Sequence, residues 1–250
     1  MGETHGESKE LKAMVASTYV SEEFPSGGVS EKPTPAFTAK DLRAALRLYA
    51  VTDSTWLCGR SLAQCVADAL EGGVTCVQLR EKDLAYEELK ALGLEVRAVC
   101  KAAHIPFIVN DHVELAREID ADGVHVGQED MACVRARAIL GPDKIVGVSV
   151  QTVEEALQAE RDRADYLGVG AIFPTPTKPE SPHMGIEALR TVCAHATIPV
   201  VAIGGLDEMS ILKLAGCGVD GVAVVSAVFA QDDIVNATQK LVRCVEQSLQ

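Results

Sequence analysis

Aromatic side chains, long apolar runs and surplus positive charge are all scarce in this sequence. Aromatic residues make up 4% of the 250 residues, and no apolar run approaches the ~20 residues of a membrane-spanning helix. The formal net charge is -13, which argues against a general attraction to nucleic acid or to an anionic membrane. We therefore expect neither partner, and any anionic substrate must be held by local groups.

Zinc-binding and secretory patterns are also missing. The eight cysteines include no CxxC pair and no Cys/His spacing of a zinc site. Most of them fall within helical or strand patterns, as small buried side chains of a reducing compartment do. Together with the lack of a signal-peptide pattern at the start of the sequence, this predicts a cytoplasmic protein.

Residues 1–40 differ in pattern from the rest of the chain. They are rich in Gly and Pro and show no sustained periodicity, apart from a candidate short helix over 11–20. We interpret them as a flexible or partly helical N-terminal extension. Residues 41–250 form the predicted folded domain, and an apolar content of 48% is enough to bury a large core.

From residue 41 onward, short apolar runs alternate with helix-length amphipathic segments. The predicted strands cover 47–53, 75–80, 106–110, 123–126, 145–149, 166–173, 199–203 and 221–226. The predicted helices cover 61–71, 86–103, 131–140, 153–163, 186–195, 209–215 and 234–249, with Ser61, Asp130, Thr152 and Asp207 as candidate N-caps. Eight such units predict an α/β fold, a closed (β/α)8 TIM barrel. An open doubly wound sheet is the alternative, but its glycine-rich turn after the first strand is missing.

Polar side chains close the second predicted strand, in the run Gln78-Leu79-Arg80-Glu81-Lys82. Alternation along a strand sends Gln78, Arg80 and Lys82 to one side and Leu79 and Glu81 to the other. A solvated strand end is the alternative, but an inward glutamine at the close of an apolar strand needs a partner. We therefore expect three donors to converge where barrels bind their ligands, at the carboxyl ends of the strands.

Two carboxylates follow adjacent strands, Asp111 after the third and Asp130 after the fourth. Hard oxygen ligands without a Cys or His pair favour Mg²⁺, which usually bridges to a substrate phosphate. The alternatives are a turn residue for Asp111 and a helix N-cap for Asp130. The basic residues expected nearby favour the metal site.

The last two strand ends predict a phosphate site. Gly204-Gly205 closes the seventh strand and Val225-Ser226 the eighth, where such barrels bind phosphate through backbone N–H groups. Glycines needed only for the turn are the alternative. Further hydroxyl and amine groups stand at the fifth and sixth strand ends: Ser149, Thr175, Thr177 and Lys178.

One histidine, His125, lies within a predicted strand. It shows no metal spacing, so we interpret it as a structural hydrogen-bonding residue rather than a general base. No nucleophile or Ser-His-Asp set is present in the sequence pattern. Two anionic substrates are therefore predicted, one in the phosphate site and one at the Mg²⁺ site, where a diphosphate leaving group would fit.

Residues from about 46 to 245 resemble the thiamine phosphate synthase family. The shared motifs are Gln78-Leu79-Arg80-Glu81-Lys82, Asn110-Asp111, residues 122–130, Gly147-Val148-Ser149, Thr175-Pro176-Thr177-Lys178, Ile203-Gly204-Gly205 and Val225-Ser226. A single piece such as the glycine pair is a weak signal, whereas the combination is highly specific.

The resemblance implies a transferase that joins 4-amino-2-methyl-5-hydroxymethylpyrimidine diphosphate to thiazole ethyl phosphate, or its carboxylated form, giving thiamine phosphate and diphosphate. In the family's mechanism diphosphate leaves first, and the thiazole nitrogen captures the resulting pyrimidinylmethyl cation. Mg²⁺ is the implied cofactor, and small phosphorylated molecules are the implied partners. The sequence leaves open whether the chain forms a homo-oligomer.

The family's residue roles carry over to matching positions. The implied catalytic residues are Ser149, Lys178, Arg80 and Lys82. The implied pyrimidine diphosphate ligands are Gln78, Leu79, Arg80, Glu81, Lys82, Asn110, Ser149 and Lys178. The implied thiazole phosphate ligands are Thr175, Pro176, Thr177, Gly205, Val225 and Ser226, and Asp111 and Asp130 would bind Mg²⁺.

Three alternative functions fit parts of the pattern. A thiazole tautomerase-like relative shares the barrel but transfers a proton, and a non-catalytic sensor would only bind thiamine precursors. The intact Asp111 and Asp130 pair argues against both, because neither needs a diphosphate-binding metal. A generic isomerase barrel would need a glutamate or lysine base at a strand end, and the expected positions lack one.

Overall fold

Eight short parallel strands pair in sequence order, and the last pairs with the first to close a barrel. The computed structural model describes residues 39–57, 59–175 and 183–249. The strands are β1 Leu48–Val51, β2 Cys76–Leu79, β3 Phe107–Asn110, β4 Gly123–Val126, β5 Ile145–Val150, β6 Tyr166–Val169, β7 Val200–Ile203 and β8 Gly221–Val224. The predicted (β/α)8 TIM barrel is confirmed, and the open sheet is excluded.

Helices alternate with the strands around the outside. They are α1 Ala39–Ala45, α2 Leu62–Gly72, α3 Tyr86–Ala102, α4 Val113–Glu118, α5 Cys133–Leu140, α6 Val153–Arg161, α7 Gly185–His195, α8 Glu208–Leu212, α9 Ser226–Phe229 and α10 Ile234–Ser248. The seven predicted helices are all present. Helices α1, α4 and α9 were not predicted, because segments of seven, six and four residues are too short to show a helical period.

The sixth strand is shorter than predicted. The apolar run continues to Phe173, but β6 ends at Val169. Beyond it, the backbone still follows the neighbouring strand end: the Ile172 N–H donates to the Ile203 carbonyl at 2.9 Å and the Phe173 N–H to the Gly204 carbonyl at 3.1 Å. Ile172 is fully buried, so this part of the run packs beside the end of β7 without extending β6.

Two apolar layers hold the barrel together. The outer layer lies between strands and helices and includes Leu79, Val109 and Leu167. The inner layer fills the barrel itself and includes Tyr49, Tyr166 and Ile108. Alternate residues of each strand thus face opposite layers, as the period of a strand requires.

Helix α1 packs against the end of the barrel opposite the strands' carboxyl ends. Its Leu42 and the following Leu46 are buried to 6% and 1% exposure and belong to the inner layer. The Arg43 Nε also donates to the Asp220 carboxylate at 2.9 Å, just before β8. The helix spans the predicted boundary between the extension and the folded domain.

Helix starts follow the predicted capping chemistry at two of four positions. Thr152 and Asp207 accept hydrogen bonds from the third residue of α6 and α8. Ser61 is an N-cap without a side-chain bond. The prediction for Asp130 as a cap is wrong, because α5 begins at Cys133 with Ala132 as its N-cap.

The seven cysteines in the described residues are all free thiols, five of them buried. No helix in that part of the chain combines the length and apolarity needed to cross a membrane. The candidate short helix over 11–20 lies outside the described residues.

Candidate active site

A cavity of about 950 Å³ opens at the carboxyl ends of the strands. Its lining includes most of the site residues predicted from the sequence: Gln78, Arg80, Lys82, Asn110, Asp111, Asp130, Ser149, Thr175, Gly205, Val225 and Ser226. These residues come from seven of the barrel's strand ends, so closure of the barrel alone brings them together.

Side chains at the end of β2 alternate between the cavity and the opposite side of the strand, so only some of the predicted ligands face the cavity. Gln78, Arg80 and Lys82 line the cavity. Leu79 is 1% exposed and packs in the outer layer, and the Glu81 carboxylate accepts hydrogen bonds from Thr52 Oγ1 at 2.7 Å and from the Ser54 N–H at 3.0 Å. The side chains of Leu79 and Glu81 therefore do not reach the cavity as ligands. Glu81 instead fixes the loop after β1.

Arg80 is held from both sides. Its backbone N–H donates to Thr52 Oγ1 at 2.9 Å, and its guanidinium Nη1 lies 3.9 Å from the Asp53 carboxylate. The Arg80 side chain is only 12% exposed. Thr52 also donates to Glu81, so this network fixes the Arg80 backbone, and the Asp53 carboxylate lies beside the guanidinium.

Asp111 and Asp130 meet at the mouth of the cavity. Asp111 has a left-handed backbone with φ 62°, and its N–H donates to the His125 carbonyl at 2.8 Å. Asp130 accepts from the Gly127 N–H at 2.8 Å. Burial first, and then the hydrogen bond and charge of Asp130, raise the pKa of the Asp111 carboxyl to about 6. The Lys82 charge acts in the opposite direction.

This carboxylate pair has the chemistry of a hard-cation site. Two carboxylates forced together resist ionisation unless a cation compensates them. Within the described ranges no group of three or more His, Cys, Asp or Glu side chains could hold a metal. Two protein oxygens with the remaining positions left to water and phosphate are what Mg²⁺ takes in substrate sites.

The glycine pair after β7 is required by its surroundings. Gly204 and Gly205 have φ of 100° and 65°, and a Cβ on Gly205 would lie 2.6 Å from the Pro174 carbonyl oxygen. Any side chain there would push into the loop after β6. Val225 and Ser226 complete this end of the cavity from β8. The backbone therefore carries no side chains at the position of the predicted phosphate site.

A chain of hydrogen bonds crosses the barrel interior beneath the cavity. Gln78 Nε2 donates to Tyr49 Oη at 2.8 Å, and Tyr49 Oη lies 2.9 Å from Tyr166 Oη. Tyr166 Oη lies 2.9 Å from His125 Nδ1, and His125 Nε2 lies 2.8 Å from Ser149 Oγ. We call these five residues the interior polar chain. The interpretation of His125 as a structural hydrogen-bonding residue agrees with this placement.

Sequence reasoning missed the two tyrosines as part of the site. The available signal was a tyrosine within each of two apolar strands, since a buried phenol needs a hydrogen-bond partner. It also missed Trp56, whose buried indole N–H lines the cavity without a partner in the described part of the chain. Gln128, another lining residue, donates to the Ser149 carbonyl at 2.7 Å.

Three predicted ligands cannot be placed. Pro176, Thr177 and Lys178 lie outside the described residues, so their roles remain predictions. Thr175, just before them, lines the cavity. Of the four predicted catalytic residues, the structure places Arg80, Lys82 and Ser149 at the cavity.

Comparison with known proteins gives a consistent result. A family model described as thiamine monophosphate synthase matches residues 48–228. The chain is 43% identical over 194 residues to the thiamine-phosphate synthase of Clostridium tetani, covering 78% of this chain and 93% of the relative. It is 47% identical over 196 residues to that of Chloroflexus aurantiacus, covering 78% and 90%.

A solved structure gives the same match in three dimensions. Thiamine phosphate pyrophosphorylase from Pyrococcus furiosus superposes with a TM-score of 0.77 at 40% identity, covering 84% of this chain and 100% of that chain. With both its sequence and its barrel matched, the chain belongs to the thiamine monophosphate synthase family.

Proposed function

We propose that the chain joins 4-amino-2-methyl-5-hydroxymethylpyrimidine diphosphate to thiazole ethyl phosphate, or its carboxylated form, with Asp111 and Asp130 holding Mg²⁺. The activity itself is that of a thiamine-phosphate synthase, which is a transferase acting on small molecules. The observation that carries the proposed site is the pairing of Asp111 with Asp130 beside Lys82 in one cavity.

The diphosphate would lie at the β2–β4 side of the cavity. Arg80 and Lys82 supply positive charge there, and the bound Mg²⁺ would stabilise the charge that develops on the departing diphosphate. The Arg80 side chain is only 12% exposed and lies beside the Asp53 carboxylate, which supports a guanidinium partly positioned before phosphate binds. Lys178 is proposed to add a further charge near the breaking bond.

The pyrimidine ring would lie deeper, against Gln78, Asn110 and Ser149. These three side chains offer amide and hydroxyl groups at the ends of β2, β3 and β5. Two of them, Gln78 and Ser149, are the ends of the interior polar chain. The pyrimidine ring would therefore contact two polar groups that the hydrogen bonds of the interior polar chain already orient.

Bond changes in the proposed reaction need no base on the protein. The bond between the pyrimidine methylene carbon and the diphosphate oxygen breaks, and its electron pair leaves with diphosphate. The thiazole nitrogen then gives its lone pair to the methylene carbon, forming the new carbon–nitrogen bond; a carboxylated thiazole would also lose its carboxylate as CO₂. Residues of the cavity would bind and orient the substrates and exclude water, and the Ser149 hydroxyl and the His125 imidazole, 2.8 Å apart, take no covalent part in the proposed reaction.

The thiazole phosphate would occupy the opposite side of the cavity. Gly205, Val225 and Ser226 line it from β7 and β8, and Thr175 lines it from the β6 loop. The bare backbone of Gly205 supports a close approach of phosphate oxygens to amide groups. Pro176 and Thr177 are proposed to complete this end.

Three further proposals concern the whole chain. We propose a cytoplasmic location, supported by free thiols in the described residues, and no nucleic-acid or membrane partner, supported by the net charge of -13. We propose residues 1–40 as an extension and 41–250 as the catalytic barrel, and leave homo-oligomerisation to sedimentation analysis. A fluorescent fusion and a retardation assay with DNA test the first two.

The test of the site is a Mg²⁺ titration of thiamine phosphate formation. Asp130→Asn should need much more Mg²⁺ and lose most turnover, because one charged ligand is gone while the exposed position keeps its size. Asp143→Asn, an exposed aspartate outside the cavity, is the matched control and should behave as wild type. An unchanged Mg²⁺ dependence in Asp130→Asn would refute the metal assignment.

A further inference from the structure

The interior polar chain has one property that single contacts lack: its hydrogen bonds must all point the same way. Each phenol has one proton to donate, and a neutral imidazole has one donor and one acceptor nitrogen. Tyr49 accepts from Gln78, so its own proton goes to Tyr166. Tyr166 then donates to His125 Nδ1, and His125 Nε2 donates to Ser149.

Burial keeps the phenols in their protonated form. Tyr49 and Tyr166 are each at most 1% exposed, and burial, the largest cause, raises the pKa of both well above the usual value. The Cys76 thiol lies beside Tyr49 but is only a weak hydrogen-bond acceptor. Each phenol therefore donates only one hydrogen bond. The donor–acceptor direction at Gln78 thus determines the direction of every following hydrogen bond up to Ser149.

The neighbouring strands are shaped around this chain. A Cβ on Gly147 of β5 would lie 2.1 Å from the Tyr166 Cζ atom, and one on Gly168 of β6 would lie 2.8 Å from His125 Cε1. Only glycine leaves room for the phenol and the imidazole at these positions. The tight packing against these glycines holds both rings in place. The direction of the hydrogen bonds could therefore reverse only by rotation of the hydroxyl protons and tautomer exchange of His125.

The two ends of the chain lie in the cavity. One of the two Gln78 Nε2 hydrogens goes to Tyr49, which fixes the orientation of the amide and leaves Oε1, on the other side of the amide carbon, to accept from a ligand. With Ser149 Oγ accepting from His125, the hydroxyl has its proton left to donate. Reversing one end requires reversing all four hydrogen bonds, so the acceptor at Gln78 and the donor at Ser149 are set together.

We propose that Tyr49, Tyr166 and His125 are positioning residues that fix Gln78 as an acceptor and Ser149 as a donor, and thereby select an aminopyrimidine over its oxo analogue. The exocyclic amine of the aminopyrimidine donates to Gln78 Oε1. An oxo group at the same ring position meets that oxygen as a second acceptor, and relief requires inversion of the whole chain. This inference rests on the proposed function, because it places the pyrimidine against Gln78 and Ser149.

The test measures binding rather than turnover, because an oxo ring also stabilises a pyrimidinylmethyl cation differently. The ligands are the 4-amino and 4-oxo forms of the pyrimidine with the ester oxygen of the diphosphate replaced by CH₂, so that neither reacts. Calorimetry with Mg²⁺ gives a Kd for each. We expect wild type to prefer the amino form by about 100-fold, since a mismatched buried polar pair is strongly disfavoured.

Tyr166→Phe and Tyr49→Phe each break the chain while keeping the ring that fills the barrel. Either variant frees the Gln78 amide to turn, so the preference should fall by about tenfold, chiefly through tighter binding of the oxo form. The double variant should show no further fall, because one break already uncouples the ends. Tyr86→Phe, which removes an exposed phenol bonded to Glu118 at 2.7 Å, is the matched control and should keep the wild-type ratio.

The outcomes distinguish a positioning role of the two tyrosines from a role in packing alone. If the tyrosine variants weaken both ligands equally, or if their effects on the ratio add, the positioning role is refuted. If wild type binds both forms equally, the positioning role fails while the pyrimidine site stands. If wild type binds neither, the proposed function itself fails. Should Tyr166→Phe not fold cooperatively, Tyr49→Phe alone decides, because it removes the partner of Gln78 directly.

Discussion

Asp111 combines two local costs at the cavity. It adopts a left-handed φ of 62° without being glycine, and it faces a second carboxylate. Such a conformation costs of order 1–3 kcal/mol and persists when the surroundings enforce it, as the bond from its N–H to His125 does here. Strain and charge repulsion at one residue mark it as functional rather than as an ordinary turn.

The raised pKa of Asp111 predicts how cation binding depends on pH. Its carboxyl has a pKa of about 6, so at pH 5 most of the metal-free protein holds a proton there that a cation must displace. Mg²⁺ affinity should therefore rise from pH 5 to pH 7 and level off above that. Binding titrations at three pH values measure it, and Asp111→Asn should abolish the rise in this window. A flat profile in wild type would contradict the carboxylate pairing.

Gly205 gives a second prediction at the scale of one residue. Gly205→Ala should raise the KM for thiazole phosphate by about tenfold or more, because the methyl group meets the Pro174 carbonyl where phosphate is proposed to approach. Gly216→Ala is the matched control: its φ is 71°, close to the 65° of Gly205, but nothing lies within 4 Å. Both should lose ~1–2 kcal/mol of stability from the left-handed backbone. Equal KM values for the two variants would argue against the phosphate site.

Strand beginnings follow a repeated pattern at the scale of elements. Asp122, Asp165 and Asp220 stand just before β4, β6 and β8. Their carboxylates accept the backbone N–H of Phe107 at 2.9 Å, Val146 at 2.7 Å and Val200 at 2.9 Å, near the starts of β3, β5 and β7. Each aspartate thus joins two neighbouring strands at the face away from the cavity, where barrels place stability rather than chemistry.

This pattern predicts a separation of stability from activity. Asp122→Ala should lower the free energy of unfolding by ~1–3 kcal/mol, because the Phe107 N–H loses its partner in a partly buried site. The KM values for both substrates should stay as in wild type. Denaturant unfolding and steady-state kinetics measure the two effects, and Asp122→Asn, which keeps an acceptor oxygen, should lose less. A change in KM with unchanged stability would contradict this division of roles.

Some elements of the structure could be predicted from the sequence and others could not. Strand ends and the sidedness of Gln78, Arg80 and Lys82 were predictable, because alternation and the common edge of parallel strands need no long-range information. The pairing of Tyr49 with Tyr166 was not, since those phenols are 117 positions apart. Helix α1 was missed for a related reason: its burial depends on the barrel floor, which the local pattern does not contain.

At the scale of the whole molecule, strand order separates the two proposed substrate ends. Asp111 and Asp130 follow β3 and β4, whereas Gly205 and Ser226 follow β7 and β8. In a closed ring of eight strands taken in sequence order, β3 and β7 stand opposite each other, as do β4 and β8. The two substrates would thus approach each other across the barrel mouth.

The same scale gives a prediction about the start of the chain. A chain beginning at residue 39 should keep kcat/KM within about twofold of the full chain, because every described cavity residue comes after residue 48. A chain beginning at residue 48 should be destabilised by several kcal/mol, since burial of Leu42 and Leu46 is lost. Thermal unfolding and kinetics of both truncations test this. Equal stability of the two would contradict the role of α1 as the barrel floor.

The most direct test of the central claim is a single assay of the full chain. Purified protein receives the pyrimidine diphosphate, thiazole ethyl phosphate and Mg²⁺, and thiamine phosphate is measured with and without EDTA. We expect product with metal, none with EDTA, and recovery when excess Mg²⁺ is restored. Product formed at the same rate in EDTA would contradict the Asp111 and Asp130 site, and no product under any condition would contradict the proposed reaction.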